Sequence, residues 1–271
     1  MKLLEVKNLC ITDIKNNEEI VSNVSFELES NTCLGIVGES GSGKSITTKA
    51  ILGLINSNLE VTGSAKFREI DLLKAKGNVM RKIRGKQVCM ILQDVMSSFD
   101  SLYTIGYQMI ETICENTNVS KPKAKDIAIE ALDKMSIREP EQVIKKYAHQ
   151  LSGGMLQRCM IAIAMSMKPD IIIADEPTTA LDCINQKEVV EQFKYLREIT
   201  GTSVILISHD LGVIKHLAQK ILVMKDGKSV EYGDAKDVLK KPSHEYTRYL
   251  INTRLDLTEE FRKSMTMEEV V

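Results

Sequence analysis

Short runs of apolar residues recur at wide intervals along the chain: Cys33 to Val37, Val88 to Leu92, Ile171 to Ala174, Val204 to Ile207 and Ile221 to Met224. Each is too short for a helix, and several hold no polar position, which is the pattern of strands covered on both faces. Between them the period changes. After Lys44 apolar residues fall at Ile46, Ala50, Ile51, Leu54 and Ile55, and after Gly154 at Met155, Cys159, Ile163 and Met167, a spacing that predicts helices with one buried stripe. Strands alternating with helices predict an α/β fold, a parallel sheet with helices on its faces.

The start of the chain follows a different rule. Leu3, Leu4 and Val6, then Val21, Val24, Phe26 and Leu28, alternate as strands do around a polar turn at Asn16-Asn17, predicting an N-terminal antiparallel β layer ahead of the core. From Ser97 to Leu151 strand signals vanish and helix formers dominate, interrupted by the polar stretch Glu115 to Asp126 that contains Pro122. This reads as an inserted α-helical subdomain. The end of the chain reads as a solvated helix or frayed tail.

A chain of 271 residues is long enough to bury a sizeable core without staples. Its 36 basic and 37 acidic residues nearly cancel, and only 4% of its residues are aromatic, with no Trp, so neither a basic nucleic-acid footprint nor a base-stacking platform is available. No nucleic-acid partner is expected. The six cysteines lie far apart, without metal-ligand spacing, and read as reduced thiols, mostly in the core. MKLLEVKNLC lacks a secretory leader's long apolar stretch, and no later run reaches the length of a spanning helix, so contact with a membrane is expected through a partner.

The chemistry is concentrated in three motifs. Gly38-Glu39-Ser40-Gly41-Ser42-Gly43-Lys44-Ser45 matches G-x-x-x-x-G-K-[ST] and lies between a predicted strand and a predicted helix. Glycines let backbone N–H groups converge on phosphate oxygens, the helix N-terminus adds a favourable dipole, Lys44 adds a positive charge and the Ser45 hydroxyl offers a magnesium ligand. An accidental Gly/Ser turn would lack the flanking strand and helix. The implied ligand is a nucleoside triphosphate with Mg2+. The second motif, Ile171 to Glu176, is an aliphatic run ending in two carboxylates, as where a buried strand delivers acids to the ligand edge of a parallel sheet. Asp175 would hold the magnesium shell and Glu176 would orient and deprotonate an attacking water.

The third motif, Leu151-Ser152-Gly153-Gly154-Met155-Leu156-Gln157-Arg158, resembles the signature of the ABC ATPases, because LSGG with a following Q-R pair stands just ahead of the strand ending in Asp-Glu. Gln93 after a strand resembles the family's Q-loop, Ala180-Leu181-Asp182 its D-loop and His209 its switch histidine. The resemblance covers essentially the whole chain. It implies a P-loop NTPase with a RecA-like core, about residues 1–96 and 159–240, a helical subdomain at about 97–158, one domain to residue 250 and a short tail at 251–271. It implies ATP and Mg2+ as cofactors, with Gln93, Ser45 and Asp175 on the metal, and catalysis by Glu176, His209 and Gln93. Ser152, Gly153, Gly154 and Gln157 would face the ATP of an opposing subunit, and Asp182 would organise that interface.

GESGSGKS, QDVMSSFDSLYTIG, LSGGMLQR and ADEPTTALD are similar to the importers for oligopeptides, dipeptides and nickel. The resemblance implies two transmembrane permeases, an extracytoplasmic solute-binding protein, a second and different ABC ATPase, and a peripheral place on the cytoplasmic face of the cell membrane. Three residues depart from the usual QDPMSSLNP, namely Val95, Asp100 and Ser101, in the surface expected to meet the permease. A family aromatic that stacks on adenine has no counterpart in residues 8–25, where Ile11 or Ile14 would offer apolar contact instead. SGGMLQR followed by Met160-Ile161-Ala162, and an ending at Val271 without a cysteine-containing tail, are closer to the nickel and metallophore branch, including the metal–staphylopine importers. Metal–chelate import is therefore expected ahead of peptide import. A soluble, non-transporting ABC protein is the distant alternative.

Overall fold

Backbone pairing turns the apolar runs into two sets of strands. The computed structural model describes residues 1–178 and 183–253. Its strands are β1 (Lys2–Asp13), β2 (Glu18–Glu29), β3 (Cys33–Val37), β4 (Leu59–Phe67), β5 (Ile70–Asp71), β6 (Val88–Ile91), β7 (Ile171–Asp175), β8 (Ser203–Ile207), β9 (Lys220–Lys225) and β10 (Lys228–Asp234). Its helices are α1 (Lys44–Ile51), α2 (Gly77–Ile83), α3 (Val95–Ser98), α4 (Ile105–Thr117), α5 (Lys121–Lys134), α6 (Pro140–Val143), α7 (Gly153–Ser166), α8 (Cys183–Thr200), α9 (Leu211–Leu217) and α10 (Ala235–Lys240).

One compact unit comprises Leu4–Glu27, Cys33–Leu73 and the described residues from Ser208 onward. Its strands run in the order β5-β4-β1-β2-β10-β9-β3, with β1 antiparallel to β4, β9 antiparallel to β10 and β3 parallel to β9. The alternation predicted for β1 breaks once: Leu4 and Val6 are buried, and then Leu9 and Ile11. The register with β4 shifts between Lys7 and Cys10, and Asn8 adopts φ 49°, so a bulge returns the strand's apolar side to the core after one extra residue. Strand β3 is buried at every position, and α9 packs on it at Gly35 through Ile214, with Ala218 at the helix's C-cap beside it.

The other unit comprises Met1–Leu3, Leu28–Thr32 and Lys74–Ile207. Here β6, β7 and β8 are parallel neighbours, with Val88 opposite Ile171 and Ile171 opposite Ser203. Helices α4, α5 and α7 pack on one another, α7 also lies against β6, and α8 lies against β8. The polar stretch taken to interrupt the helices is mostly helical: α4 runs to Thr117, α5 begins at Lys121, and Pro122 sits in the first turn of α5, where its missing N–H costs nothing. Only Asn118 to Ser120 lie between the helices, with Asn118 in the left-handed conformation that ends α4.

Helical faces are also corrected. On α7 the buried residues are Leu156, Gln157, Cys159, Ile161, Ala162, Ala164 and Met165, so only Cys159 of the predicted stripe is fully inward. Helix α1 ends at Ile51, leaving Leu54 and Ile55 outside it, and buries Thr47 and Thr48 as well as Ala50 and Ile51. No described helix is long and apolar enough to cross a membrane.

Candidate active site

The phosphate-loop sequence forms the turn between β3 and α1. Strand β3 ends at Val37, and Gly38 follows with φ 154°. A Cβ at Gly38 would lie 2.2 Å from the Met224 carbonyl oxygen, so the backbone of β9 leaves room for glycine alone. Lys44, only 5% exposed, folds back over the loop and donates from Nζ to the Gly38 carbonyl at 2.9 Å and the Glu39 carbonyl at 2.7 Å. Ser42 donates its N–H to the Glu39 carbonyl at 3.2 Å, closing the turn. A Cβ at Gly41 would meet nothing within 4 Å, so the loop's outer side is open. The first turn of α1 carries no acidic residue, and its dipole and Lys44 together favour an anion. Gly38, Glu39, Ser40, Gly41, Ser42, Gly43, Lys44 and Ser45 thus form a loop that fits phosphate.

One contact at this loop was not read from the sequence. The Glu39 N–H donates to the Tyr246 hydroxyl at 3.1 Å. Tyr246 lies in the helical residues 245–253, far along the chain, and no local motif joins it to the loop. His209, in the same unit, is exposed just past the end of β8. Asp210 follows as the N-cap of α9 and accepts from the Gly212 and Val213 N–H groups at 2.7 and 3.3 Å, which fixes the backbone beside the histidine.

In the other unit, β7 delivers its carboxylates in sequence. Asp175 is the last residue of the strand and 1% exposed. Glu176 leaves the strand with φ 48°, a left-handed conformation that costs a non-glycine residue about 1 kcal/mol or more and is held by its N–H bond to the Ile207 carbonyl at 2.9 Å. Gln93 is brought to it: its Nε2 donates to Glu176 Oε2 at 3.1 Å. Asp94 then caps α3 by accepting from Ser97 N–H at 3.2 Å, and that backbone bond, first among its causes, lowers the Asp94 pKa. The oxygen donors of Ser45, Gln93 and Asp175 are of the hard kind that Mg2+ takes, so the residues present fit the ion by donor type.

Ser152 is the N-cap of α7 and accepts from the Met155 N–H at 3.3 Å, while Gly153 and Gly154 form the helix's first turn. Ser152 and Gly153 are exposed and Gly154 is partly exposed. Gln157 differs: it is 2% exposed, and its Nε2 has no hydrogen-bond partner among the described residues. Asp182 lies outside the described residues. Val95 is buried, so of the three departures near Gln93 only Asp100 and Ser101 are at the surface. Ile11 is fully buried in β1 and presents nothing to a base, whereas Ile14 is exposed.

A phosphate-fitting loop between strand and helix, and a carboxylate pair at the end of a parallel strand, define a P-loop nucleoside triphosphatase. The family model described as ABC transporter matches residues 21–179. The chain is 43% identical over 265 residues, 98% of each chain, to the metal-staphylopine import system ATP-binding protein CntD of Staphylococcus aureus. It is 40% identical to the dipeptide transport ATP-binding protein DppD of Haemophilus influenzae, over 100% of this chain and 83% of that one. The solved dimeric post-hydrolysis state of the ATP-binding cassette MJ0796, bound to ADP and Pi, superposes with a TM-score of 0.77 at 26% identity, over 86% of this chain and 98% of that one. The chain belongs to the ABC transporter family and is an ATP-hydrolysing subunit of its importers.

Proposed function

We propose that this importer ATPase energises uptake of a transition-metal–chelate complex of the nickel, cobalt or zinc type. The observation that carries the cargo is the 43% identity, sustained over 98% of both chains, to the metal-staphylopine import protein. The 40% identity to a dipeptide transport protein supports the second reading, import of oligopeptides or dipeptides. Cargo is recognised elsewhere: among the described residues no group of His, Cys, Asp and Glu has the arrangement of a metal site.

Lys44 and the loop of residues 38–45 hold the triphosphate of ATP. Bound Mg2+ would neutralise phosphate charge, with Ser45, Gln93 and Asp175 as its protein ligands. Glu176 positions and deprotonates the attacking water, and the Gln93 bond keeps its carboxylate from wandering before water arrives. His209 contacts the terminal phosphate. The N-terminus of α7, with Ser152, Gly153 and Gly154, meets the triphosphate held by a second and different ABC ATPase, and Asp182 sits at that interface.

The partners are two transmembrane permeases and an extracytoplasmic binding protein, and the subunit works at the cytoplasmic face of the membrane. Exposed apolar side chains cluster in sequence after Gln93, at Met96, Leu102, Tyr103 and Tyr107, and offer the permease an apolar contact. The test is deletion of the gene, with uptake of metal–chelate and of peptide measured side by side, and identification of the membrane proteins that co-purify with the subunit. Loss of metal–chelate uptake alone supports the first reading. Loss of peptide uptake alone replaces it with the second.

A further inference from the structure

We propose that Tyr246 is a positioning residue for the phosphate loop, setting the orientation of the peptide between Gly38 and Glu39. The inference rests on the assignment of residues 38–45 as the triphosphate site. The carbonyl of Gly38 and the N–H of Glu39 belong to one planar unit and point to opposite sides of it. Lys44 Nζ donates to that carbonyl at 2.9 Å, and the Tyr246 hydroxyl accepts from that N–H at 3.1 Å, so the plane is held from both sides. Gly38 has a wide choice of backbone conformation, and no side chain of its own restrains the plane. When Lys44 turns from the loop carbonyls toward phosphate, one of the two restraints is given up. The Tyr246 bond remains and keeps the peptide from rotating.

Tyr246 is itself firmly placed. The residue is 6% exposed, and Lys225, the last residue of β9, stands over its ring with Nζ 5.0 Å from the centroid. The segment carrying it is tied to β10: Glu231 accepts from the Ser243 N–H and hydroxyl at 2.8 Å each and from the His244 N–H at 3.2 Å. The Tyr246 N–H donates to His244 Nδ1 at 3.1 Å. The hairpin of β9 and β10 therefore supports the helix at residues 245–253, and that helix supports the loop.

The experiment measures MgADP affinity by calorimetry for the full chain and for Tyr246→Phe, Tyr249→Phe and Lys44→Ala, with a melting curve for each. Tyr246→Phe keeps the ring and its packing and removes only the hydroxyl. A single neutral hydrogen bond predicts about three- to tenfold weaker MgADP binding for Tyr246→Phe. Its melting should stay near that of the parent, and Tyr249→Phe, on the same helix, should bind like the parent. Amide exchange at Glu39 should speed up in Tyr246→Phe, a readout that a general packing role would not move. Parent-like affinity and exchange in Tyr246→Phe, with binding lost in Lys44→Ala, overturn the inference and leave the phosphate loop standing. Parent-like binding in Lys44→Ala overturns the loop assignment and the inference with it.

Discussion

At the scale of single residues, the placement of the motifs was legible wherever it is carried by spelling, and illegible where it depends on which way a side chain points. Lys44, Asp175 and Glu176 stand where their motifs require, and Glu176 adds what no motif states, a left-handed backbone that turns its carboxylate out of the strand line toward Gln93. Glu176→Gln preserves shape and the capacity to bond with Gln93, and removes the carboxylate proposed as the base. ATP turnover should fall by about a hundredfold or more while nucleotide binding persists, measured by phosphate release and equilibrium binding. Gln157 and Ile11 show the other case. Both were assigned outward roles from their place in the sequence, and both are buried, because α7 buries an arc wider than one stripe and the bulge at Asn8 carries Ile11 inward. Tyr246 had no local signal at all, since its partner Glu39 is 207 positions away.

At the scale of elements, the short apolar strands β3, β6, β7, β8 and β9 were read to within a residue or two because burial on both faces writes itself into every position. Strand β10 was missed because none of its residues is fully buried, and pairing with β9 on one side and β2 on the other makes it a strand. Its signal was the turn: Lys225 pairs with Lys228 across Asp226-Gly227, whose φ values of 48° and 74° are those that an Asp-Gly hairpin turn takes. Helix ends carry two predictions. Asp210→Ala removes the cap of α9 beside His209 and should lower stability by about 1 kcal/mol in urea unfolding. At the start of α4, the N–H groups of Ile105 and Gly106 donate to the carbonyls of Lys146 and Ile144 at 2.8 Å each, an approach so close that a Cβ on Gly106 would lie 2.6 Å from the Ile144 oxygen. Gly106→Ala gains helix propensity yet must part these backbones, so the expected net is a loss of about 1–3 kcal/mol by the same measurement.

At the scale of the whole molecule, burial decides what the cysteines do. Of the five cysteines whose side chains are described, Cys33, Cys89 and Cys159 are buried, Cys10 and Cys114 are partly exposed, and each is a free thiol. Burial pushes the Cys89 and Cys159 thiols up to about 12 from 9.0, because their surroundings do not solvate a thiolate. A raised pKa in the folded state means that the neutral thiol is the form the fold accepts. Below pH 9.0 both the folded and the unfolded chain keep these protons, and the two groups leave stability independent of pH. Above it the unfolded chain releases protons that the native chain still holds, so the free energy of unfolding falls as pH rises toward about 12. The slope reaches at most about 1.4 kcal/mol per pH unit for each thiol. Tyrosines and lysines titrate in the same window, so the test compares slopes rather than values. Urea unfolding of the parent and of a Cys89→Ala, Cys159→Ala double variant, in reducing buffer over alkaline pH, should give a shallower decline for the variant even though its cavities lower its stability at neutral pH. Equal slopes would show that these two thiols ionise within the fold as readily as outside it.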